Sequence, residues 1–344
     1  MSEKLFKSTA IVSMMTFISR ILGFVRDIVI ARMFGAGLGA DVFFVAFKIP
    51  NFLRRLFAEG AFSQAFIPVL AEYRERGDKD LKQLIANTSG TLASILFAIT
   101  ALGVIAAPLL IMVFAPGFID NPHKIGLAGD LLKITFPYLF FISLTALAGS
   151  ILNSFGKFAV PAFTPVFLNL SLIGCALWLS PHLEEPVTAL AWGVFIGGVV
   201  QLLFQIPFLI KIGQLPKPRW GWKDSGVQKI LTLMIPAMFG VSVAQINLLL
   251  DTLLASFLVT GSISWLYYSD RLVEFPLGVF GIALSTVILP SLSKKHASAS
   301  KAEFSHTIDW ALRWVFIIAT PAAIGLIWLA EPLLMTLFQY GEFT

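Results

Sequence analysis

The chain has 344 residues, of which 57% are hydrophobic and only 13% are charged. Ordinary soluble domains carry about 25% charged residues, so this composition excludes a water-soluble fold and predicts an all-α polytopic membrane protein. The net charge is +5, and a single cysteine, Cys175, excludes an intrachain disulfide. The four histidines do not occur at metal-ligand spacing, so we expect no metal site.

Long stretches without charged residues mark the membrane crossings, because about 20 helical residues are needed to cross ~30 Å of hydrocarbon. The first two spans are interrupted by charges but end near turn signals. We interpret the N-terminal one as a retained span and not a cleaved signal peptide, since Arg20 and Arg26 interrupt it. The nine predicted spans lie within residues 7–32, 41–72, 82–120, 133–157, 157–184, 185–211, 229–251, 265–292 and 313–331.

The loops between these spans carry positive charges very unevenly. If the N-terminus is cytoplasmic, the inside segments contain nearly all of the loop lysines and arginines, mostly within 74–82, 211–229 and 294–301, whereas the outside loops contain only Lys124. The positive-inside rule therefore predicts a cytoplasmic N-terminus. The net charge then reports topology and does not indicate a nucleic-acid partner.

Other charged side chains lie inside the predicted spans, where each costs at least ~2.5 kcal/mol unless it faces a polar cavity or a partner. The arginines least able to reach the lipid headgroups are Arg20, Arg26, Arg54 and Arg271. The accompanying acids are Asp27, Asp41, Asp251, Asp270 and Glu274. We therefore predict a polar cavity within the membrane that is lined by charges of both signs.

In the first span, Arg20 and Asp27 share a helical face, whereas Arg26 is rotated by roughly 240° from Arg20 on a regular helix. Gly23 lies between the arginines, and a bend or unwinding there would bring both guanidinium groups to one cavity. Guanidinium groups form paired hydrogen bonds to phosphate and stay charged in a dry site. Converging arginines therefore favour an anionic ligand such as a pyrophosphate.

A short internal repeat links the second and eighth spans. The segment G-A-F-S-Q-A-F-I-P-V-L at 60–70 shares alanine, serine, proline and leucine positions with I-A-L-S-T-V-I-L-P-S-L at 282–292. Six crossings separate the copies, so both have the same orientation, as in transporters with two parallel lobes. We predict a six-span lobe at 1–215, a cytoplasmic linker at 216–228 and a partial lobe of three spans at 229–344.

Three motifs are chemically unusual for membrane helices. They are S-R-I-L-G-F-V-R-D at 19–27, A-D-V-F-F-V-A-F-K-I-P-N-F-L-R-R-L-F-A-E-G-A-F-S-Q-A-F-I-P at 40–68, and Y-Y-S-D-R-L-V-E-F-P at 267–276. Through these motifs, and along its whole length, the chain strongly resembles the MurJ (MviN) lipid II flippase family of the multidrug/oligosaccharidyl-lipid/polysaccharide (MOP) exporter superfamily. Members of that family have more spans than the nine predicted here, so the resemblance also implies an incomplete second lobe.

The resemblance implies a multi-pass flippase of the bacterial inner membrane, and not an enzyme. Its implied substrate is lipid II, the undecaprenyl-pyrophosphate-linked peptidoglycan precursor, carried from the cytoplasmic to the periplasmic leaflet by alternating access. Other implied partners are membrane lipids and cell-wall synthesis proteins. No cofactor is implied, although transport is expected to be coupled to the membrane potential or to a monovalent ion.

The motifs also carry the family's functional positions onto this sequence. Its required cavity arginines fall on Arg20, Arg26, Arg54 and Arg271, and its other sensitive positions on Asp41, Asn51 and Glu274. On this basis Arg20, Arg26 and Arg271 are expected to bind the pyrophosphate, while Arg54 holds the lobe geometry or the ligand. Asp27 is expected to line or gate the same cavity.

A coupled transition needs different contacts in its two states. In the state without substrate, Asp41, Asp270 and Glu274 are therefore expected to pair with arginines. The expected bending points are Gly23, Gly60 and Gly240. Asp251 either couples an ion or makes a polar contact between the lobes.

Three alternative functions remain open at this stage. One is a related exporter of a drug or of another lipid-linked oligosaccharide, although a cation-selective drug exporter should line its cavity with acids. The second is a membrane enzyme acting on polyprenyl pyrophosphate, which would need a nucleophile and base or a metal-binding acid cluster. The third is a nontransporting scaffold for cell-wall synthesis.

Overall fold

The computed structural model describes residues 3–276 and 301–343, and every regular element in these ranges is helical. The predicted all-α fold is thereby confirmed. The α-helices are α1 (Glu3–Phe34), α2 (Leu38–Arg54), α3 (Ser63–Arg76), α4 (Asp78–Ile105), α5 (Ala107–Phe114), α6 (Pro122–Thr135), α7 (Tyr138–Ser154), α8 (Ala159–Phe163), α9 (Pro165–Gly174), α10 (Thr188–Lys211), α11 (Ser225–Ala255), α12 (Ser262–Pro276) and α13 (Lys301–Phe338). Two π-helical segments, Arg55–Phe62 and Cys175–Leu179, and two 3₁₀ turns, Pro116–Phe118 and Ser180–His182, complete the described elements. The second copy of the predicted repeat, at 282–292, lies outside the described residues.

Six helical stretches in the described part of the chain are long and apolar enough to cross a membrane. They are Asp78–Ile105, Pro122–Ser154, Ala159–His182, Thr188–Lys211, Ser225–Val243 and Ile308–Phe338. Large apolar side chains such as Phe97, Leu102 and Ile105 point outward from these helices. An outer surface of this kind requires an apolar environment, in agreement with a membrane protein.

Local sequence signals explain several helix ends. The side chain of Asn121 accepts hydrogen bonds from the backbone N–H groups of His123 and Lys124 at the start of α6, where Pro122 occupies the first helical position. Asp224 caps α11 in the same way. After α1 the chain turns at Gly35, whose φ of +60° is accessible to glycine without strain.

The expected bending points behave differently from one another. α1 continues as one helix through Gly23, and α11 continues through Gly240, so the chain does not unwind at either glycine. Gly60, in contrast, lies within the π-helical segment Arg55–Phe62, where the regular α-helical hydrogen-bond pattern is interrupted. The distortion in the second predicted span is thus located between α2 and α3.

The helices define two opposite ends of the bundle. We call the end that contains residues 35–37 and 256–261 the α1–α2 end, and the end that contains residues 155–158 and 212–224 the α3–α4 end. Each end has its own buried apolar cluster.

The first half of α11 belongs to the cluster at the α3–α4 end. There Ile230 and Met234 are buried together with Leu147 and Ile151 of α7. Lys229 of α11 also forms an ion pair of 2.5 Å with Glu72 of α3. The start of α11, which follows the predicted linker, therefore packs on helices of the predicted first lobe.

The linker before α11 is fixed along α4. The backbone N–H of Arg219 donates to the carbonyl of Ala86 (2.9 Å), and the backbone N–H of Gly221 donates to Thr91 Oγ1 (3.0 Å). Between these two contacts, a Cβ atom added to Gly90 would lie 2.2–2.4 Å from the backbone of Arg219. Only glycine at position 90 allows this close approach of the linker to α4.

We predict that Gly90→Ala lowers the stability of the protein, because the new methyl group would displace linker backbone. Overpacking of this kind costs about 1–3 kcal/mol. Gly126→Ala in α6 is the matched control, since no atom lies within 4 Å of its added Cβ and alanine favours a helix over glycine. Thermal unfolding in detergent should show a lower midpoint for Gly90→Ala only. Equal midpoints for the two variants would contradict the tight linker contact.

Candidate functional site

A cluster of charged and polar side chains joins α1, α9 and α12 inside the bundle. We call its members the arginine–tyrosine cluster: Arg26, Asp27, Asn169, Tyr267 and Arg271. Arg26 and Asp27 come from α1, Asn169 from α9, and the other two from α12. Four of its five members come from α1 and α12, two of the helices in which sequence analysis found unusual charges.

Arg26 is 9% exposed and is held by four hydrogen bonds. Its Nε and Nη2 donate to Asp27 Oδ1 at 2.9 and 2.6 Å, Nη1 donates to Asn169 Oδ1 at 3.0 Å, and Nη2 also donates to the Tyr267 hydroxyl at 3.1 Å. Asn169 in turn donates to the backbone carbonyl of Ser19 at 3.1 Å. A buried charge is costly unless it is paired and hydrogen-bonded, and Arg26 meets both conditions.

The hydroxyl of Tyr267 connects the two arginines of the cluster. It donates to Asp27 Oδ1 at 2.9 Å and accepts from Arg26 and from Arg271 Nη2 at 3.1 and 3.3 Å. Because a phenol has one donor and two acceptor positions, this hydroxyl is fully used. The ring stacks on Phe44 with centroids 3.9 Å apart, and the Arg271 guanidinium lies 4.7 Å from the ring centroid.

Arg271 lies between two carboxylates. Its Nη1 donates to Glu274 Oε2 at 2.5 Å, and its Nε lies 3.4 Å from Asp27 Oδ2 without a good hydrogen-bond geometry. The expected pairing of Glu274 with an arginine is therefore confirmed in this conformation. Asp27 is buried and takes contacts from both arginines, so it is the central anion of the cluster.

Asp41 does not pair with an arginine in this conformation, which corrects the sequence-based expectation. Its carboxylate is 1% exposed and accepts from the backbone N–H of Gly261 (2.6 Å), the backbone N–H of Ser264 (2.9 Å) and the Ser264 hydroxyl (2.6 Å). Gly261 precedes the first residue of α12 and has no side chain to cap the helix. Asp41 of α2 supplies the missing cap, because a carboxylate is stabilised at a helix N-terminus.

A cavity of about 90 Å³ lies next to the cluster, between α2, α11 and α12. Its polar and charged lining residues are Lys48, Asn51, Arg55, Asp270, Arg271 and Glu274, and Tyr267 forms part of its wall. The Nε of Arg54 donates a hydrogen bond to Asn51 Oδ1 (2.8 Å). The structure thus places Asn51, Asp270 and Glu274 around one cavity. Binding pockets for drug-sized ligands measure about 300–1,000 Å³, so this cavity is small.

Arg20 and Asp251 are not members of the cluster in this conformation, although Asp251 interacts electrostatically with Lys48 and Asp270 at the neighbouring cavity. Arg20 is exposed on α1, and Asp251 is exposed on α11. The predicted convergence of Arg20 and Arg26 is not present here: α1 continues as a helix through Gly23 without unwinding, and Arg20 is exposed whereas Arg26 is buried. Their opposite burial follows from their different faces on the regular helix.

Sequence reasoning did not identify Tyr267 or Asn169 as site residues. Tyr267 is four positions before Arg271, a spacing at which helical side chains meet, and this was a usable signal. Asn169 is a lone amide in an apolar run, which has no informative spacing. In the described residues no group of three or more His, Cys, Asp or Glu side chains could hold a metal ion.

Chemically, the site combines permanent cations with carboxylates that neutralise them. A guanidinium that gives up Asp27 or Glu274 becomes available to another anion, since arginine does not lose its proton. The arrangement can therefore exchange an internal carboxylate for ligand oxyanions.

Comparison with known proteins gives consistent matches. The family model described as lipid II flippase MurJ matches residues 30–344. The chain is 60% identical over 351 aligned residues to a Vibrio cholerae protein described as a probable lipid II flippase MurJ, covering 100% of this chain and 67% of that protein. A Haemophilus influenzae protein with the same description is 55% identical to this chain, and the alignment covers 96% of this chain and 67% of that protein. The chain thus spans about two thirds of the length of these relatives.

Solved structures support the same relationship. A lipid II flippase MurJ in an inward closed conformation superposes with a TM-score of 0.82 at 33% identity, over 97% of this chain and 68% of that one. An inward-facing multidrug resistance MATE transporter of the MOP superfamily superposes with a TM-score of 0.75 at 13% identity, over 95% and 73%. The second match shows a shared MOP-type fold only.

We predict that Tyr267→Phe destabilises the cluster, because Arg26, Arg271 and Asp27 would each lose one hydrogen bond in a buried site. Leaving a buried polar group without a partner costs about 1–3 kcal/mol. Thermal unfolding of the purified full-length protein should show a clearly lower midpoint. Tyr340→Phe is the control, since Tyr340 is exposed. A Tyr267→Phe protein as stable as the control would refute the bridging role of the hydroxyl.

We predict that Asp41→Asn loosens the contact between α2 and the start of α12. The amide keeps the size of the side chain but turns an NH₂ group toward backbone donors, and each lost bond to a charged acceptor costs about 1.5–3 kcal/mol. Opening of this end should then be easier by at least ~1.4 kcal/mol, which corresponds to a factor of ten. A membrane-impermeant maleimide should therefore label an Ile263→Cys probe at least ~10-fold faster.

The labelling is done with Cys175 replaced by alanine, so that only the probe reacts. Asp130→Asn serves as the control, because Asp130 is an exposed acid paired with Lys133 on α6. Unchanged labelling in Asp41→Asn would show that the cap does not hold this end of the bundle closed.

Proposed function

The chain belongs to the lipid II flippase MurJ family, and from this premise we propose that it binds and moves lipid II as part of a transporter in the bacterial inner membrane. It is a multi-pass membrane protein and not an enzyme. The observation that carries the proposal is the buried arginine–tyrosine cluster, which places permanent cations inside a membrane bundle. A lipid carrying a pyrophosphate is the ligand that such a cluster suits best.

We propose that Arg26 and Arg271 bind the pyrophosphate, together with Arg20 and Arg54. In the described conformation the cluster is internally neutralised, so the ligand has to replace Asp27 and Glu274 as the anionic partner. This exchange gives the two states different contacts, which is the requirement for coupling ligand binding to a conformational change. The exposed Arg20 would meet the ligand first, and the buried Arg26 would engage it after the cluster opens.

We propose that the conformation described here is closed at the α1–α2 end of the bundle. At the α1–α2 end, the Asp41 cap is joined by hydrogen bonds from Gly117 N–H to Ser256 Oγ (3.1 Å) and from Lys124 Nζ to Thr260 Oγ1 (2.7 Å). The cavity of about 90 Å³ is far too small for a glycopeptide headgroup. Entry of the substrate therefore requires the lobes to separate.

The direction of transport follows from the proposed orientation. We place the α3–α4 end in the cytoplasm because the positively charged loops lie there, and the α1–α2 end in the periplasm. Lipid II would enter from the cytoplasmic leaflet, and opening of the Asp41 cap would release it to the periplasmic leaflet. Return of the empty transporter would be coupled to the membrane potential or to a monovalent ion, and contacts with cell-wall synthesis proteins belong to the same proposal.

We predict that Arg20→Ala and Arg26→Ala in the full-length protein each abolish support of growth in cells depleted of the native flippase. Each variant removes a cation that the pyrophosphate needs. Arg313→Ala is the matched control, because Arg313 is 74% exposed and pairs with Asp309 within its own helix. Membrane levels of the three proteins are compared by immunoblot, so that loss of protein is separated from loss of activity.

The decisive measurement is the accessibility of lipid II at the outer leaflet. Loss of outer-leaflet lipid II with no change in its chemical form is the expected result for Arg20→Ala. Since Arg20 is exposed, its replacement should leave the fold intact. Normal growth and normal accessibility in both variants would rule out the arginine site, and an altered lipid II structure would favour a membrane enzyme instead.

A further inference from the structure

A second cavity of about 420 Å³ lies away from the arginine–tyrosine cluster, between α4 and α11. Its apolar walls are formed by Leu92, Ile95 and Ile99 of α4 and by Met234, Ile235 and Met238 of α11. We call it the α4–α11 crevice, and we propose that it binds one acyl chain of a glycerophospholipid from the leaflet at the α3–α4 end. This inference is independent of the proposed transport function.

The walls have the chemistry of a hydrocarbon site. Both helices include candidate membrane spans, so the crevice lies at the depth of lipid chains and not of bulk water. Met234 and Met238 contribute unbranched, flexible side chains, which adapt to irregular apolar ligands. The volume lies within the range of pockets that hold drug-sized ligands.

Two hydroxyls in the crevice provide a second, independent observation. Thr88 and Ser143 line the crevice, the two residues are 3% and 2% exposed, and neither Thr88 Oγ1 nor Ser143 Oγ has a hydrogen-bond partner in the described structure. Nearby Ser89 and Ser94 of α4 donate to carbonyls of their own helix. Thr88 and Ser143 do not, so each keeps an unpaired hydroxyl at a buried position in the crevice wall, which is unfavourable. An ester carbonyl at the top of an acyl chain is an acceptor of the required kind.

The mouth of the crevice matches the headgroup region of a bilayer. Trp222 lines the crevice, and its ring stacks with that of Trp220 at 6.2 Å; both are exposed to a large extent. Tryptophan prefers the interface between hydrocarbon and headgroups, because the ring is apolar and its N–H needs a polar partner. Gln228 lies beside Trp222 and adds a polar group at this level. From its mouth inward, the crevice thus presents polar groups, then hydroxyls, then an apolar wall. This is the order of headgroup, ester and acyl chain in a glycerophospholipid.

An acyl chain in this position would lie between the first half of α11 and α4. It would add apolar contacts to the packing that joins α11 to the predicted first lobe. Any rearrangement that separates α11 from α4 would have to release the chain. The lipid is thus expected to favour the conformation described here.

The test uses the full-length protein in nanodiscs that contain phosphatidylcholine with a photoreactive diazirine in one acyl chain. After illumination, digestion and mass spectrometry, labels are expected on α4 residues 92–99 and α11 residues 234–238. Ile99→Trp fills the crevice and should lower this labelling at least ~5-fold. Leu102→Trp is the matched control on the same helix, since Leu102 is 66% exposed to the outside, and it should leave the labelling unchanged.

A second pair of measurements identifies the ligand. Thr88→Val combined with Ser143→Ala should weaken retention of one phospholipid in native mass spectrometry by about 30-fold, for two lost hydrogen bonds of about 1 kcal/mol each. Labelling that is unaffected by Ile99→Trp would overturn the proposal, because it would report lipid at the bundle surface. Displacement of the label by a polyprenyl phosphate, with no displacement by excess phosphatidylcholine, would also overturn it and assign the crevice to a prenyl chain.

Discussion

The interaction on which the rest of the structure depends is the pairing of the buried Arg26 guanidinium. A permanent cation cannot escape burial by losing its proton, so its surroundings must supply acceptors. These acceptors come from Asp27 on the same helix, Asn169 on α9 and Tyr267 on α12. One charge thereby fixes the mutual positions of three helices that are far apart in the sequence.

The contacts at the α1–α2 end extend this arrangement from the centre of the bundle to its surface. Asp41 caps a helix to which it is not connected in sequence, because α12 begins after a glycine that cannot cap it. The buried cluster and the cap therefore hold α12 at two separate points along its length. At both points a carboxylate holds α12 through hydrogen bonds. Because hydrogen bonds can be exchanged for bonds to another partner, the closed arrangement is stable and can still open.

Much of this could be predicted from the sequence because charges in a membrane are rare and expensive. The depth of Arg26, Arg271 and Glu274 in their spans was enough to identify them as candidates. In the structure the two arginines share the Tyr267 hydroxyl, and Arg271 pairs with Glu274. Asn169 could not be identified, since its only functional contact is to an arginine 143 positions away. Asp41 was expected to pair with an arginine, because sequence shows charges but not the unpaired N–H groups at the start of a helix. The convergence of Arg20 with Arg26 depended on a bend or unwinding at Gly23, and the chain stays helical there.

The π-helical segment Arg55–Phe62 has a consequence for the relation between α2 and α3. A π-helix holds an additional residue in a turn compared with an α-helix. If that residue were taken up into regular α-helix, α3 would rotate by about 100° and shift by about 1.5 Å relative to α2, with no break in the helical backbone. The π-helical segment therefore allows the helical register to change directly after Arg54. In such a change α3 would rotate and shift along its axis while the polar residues of α2 stay in place.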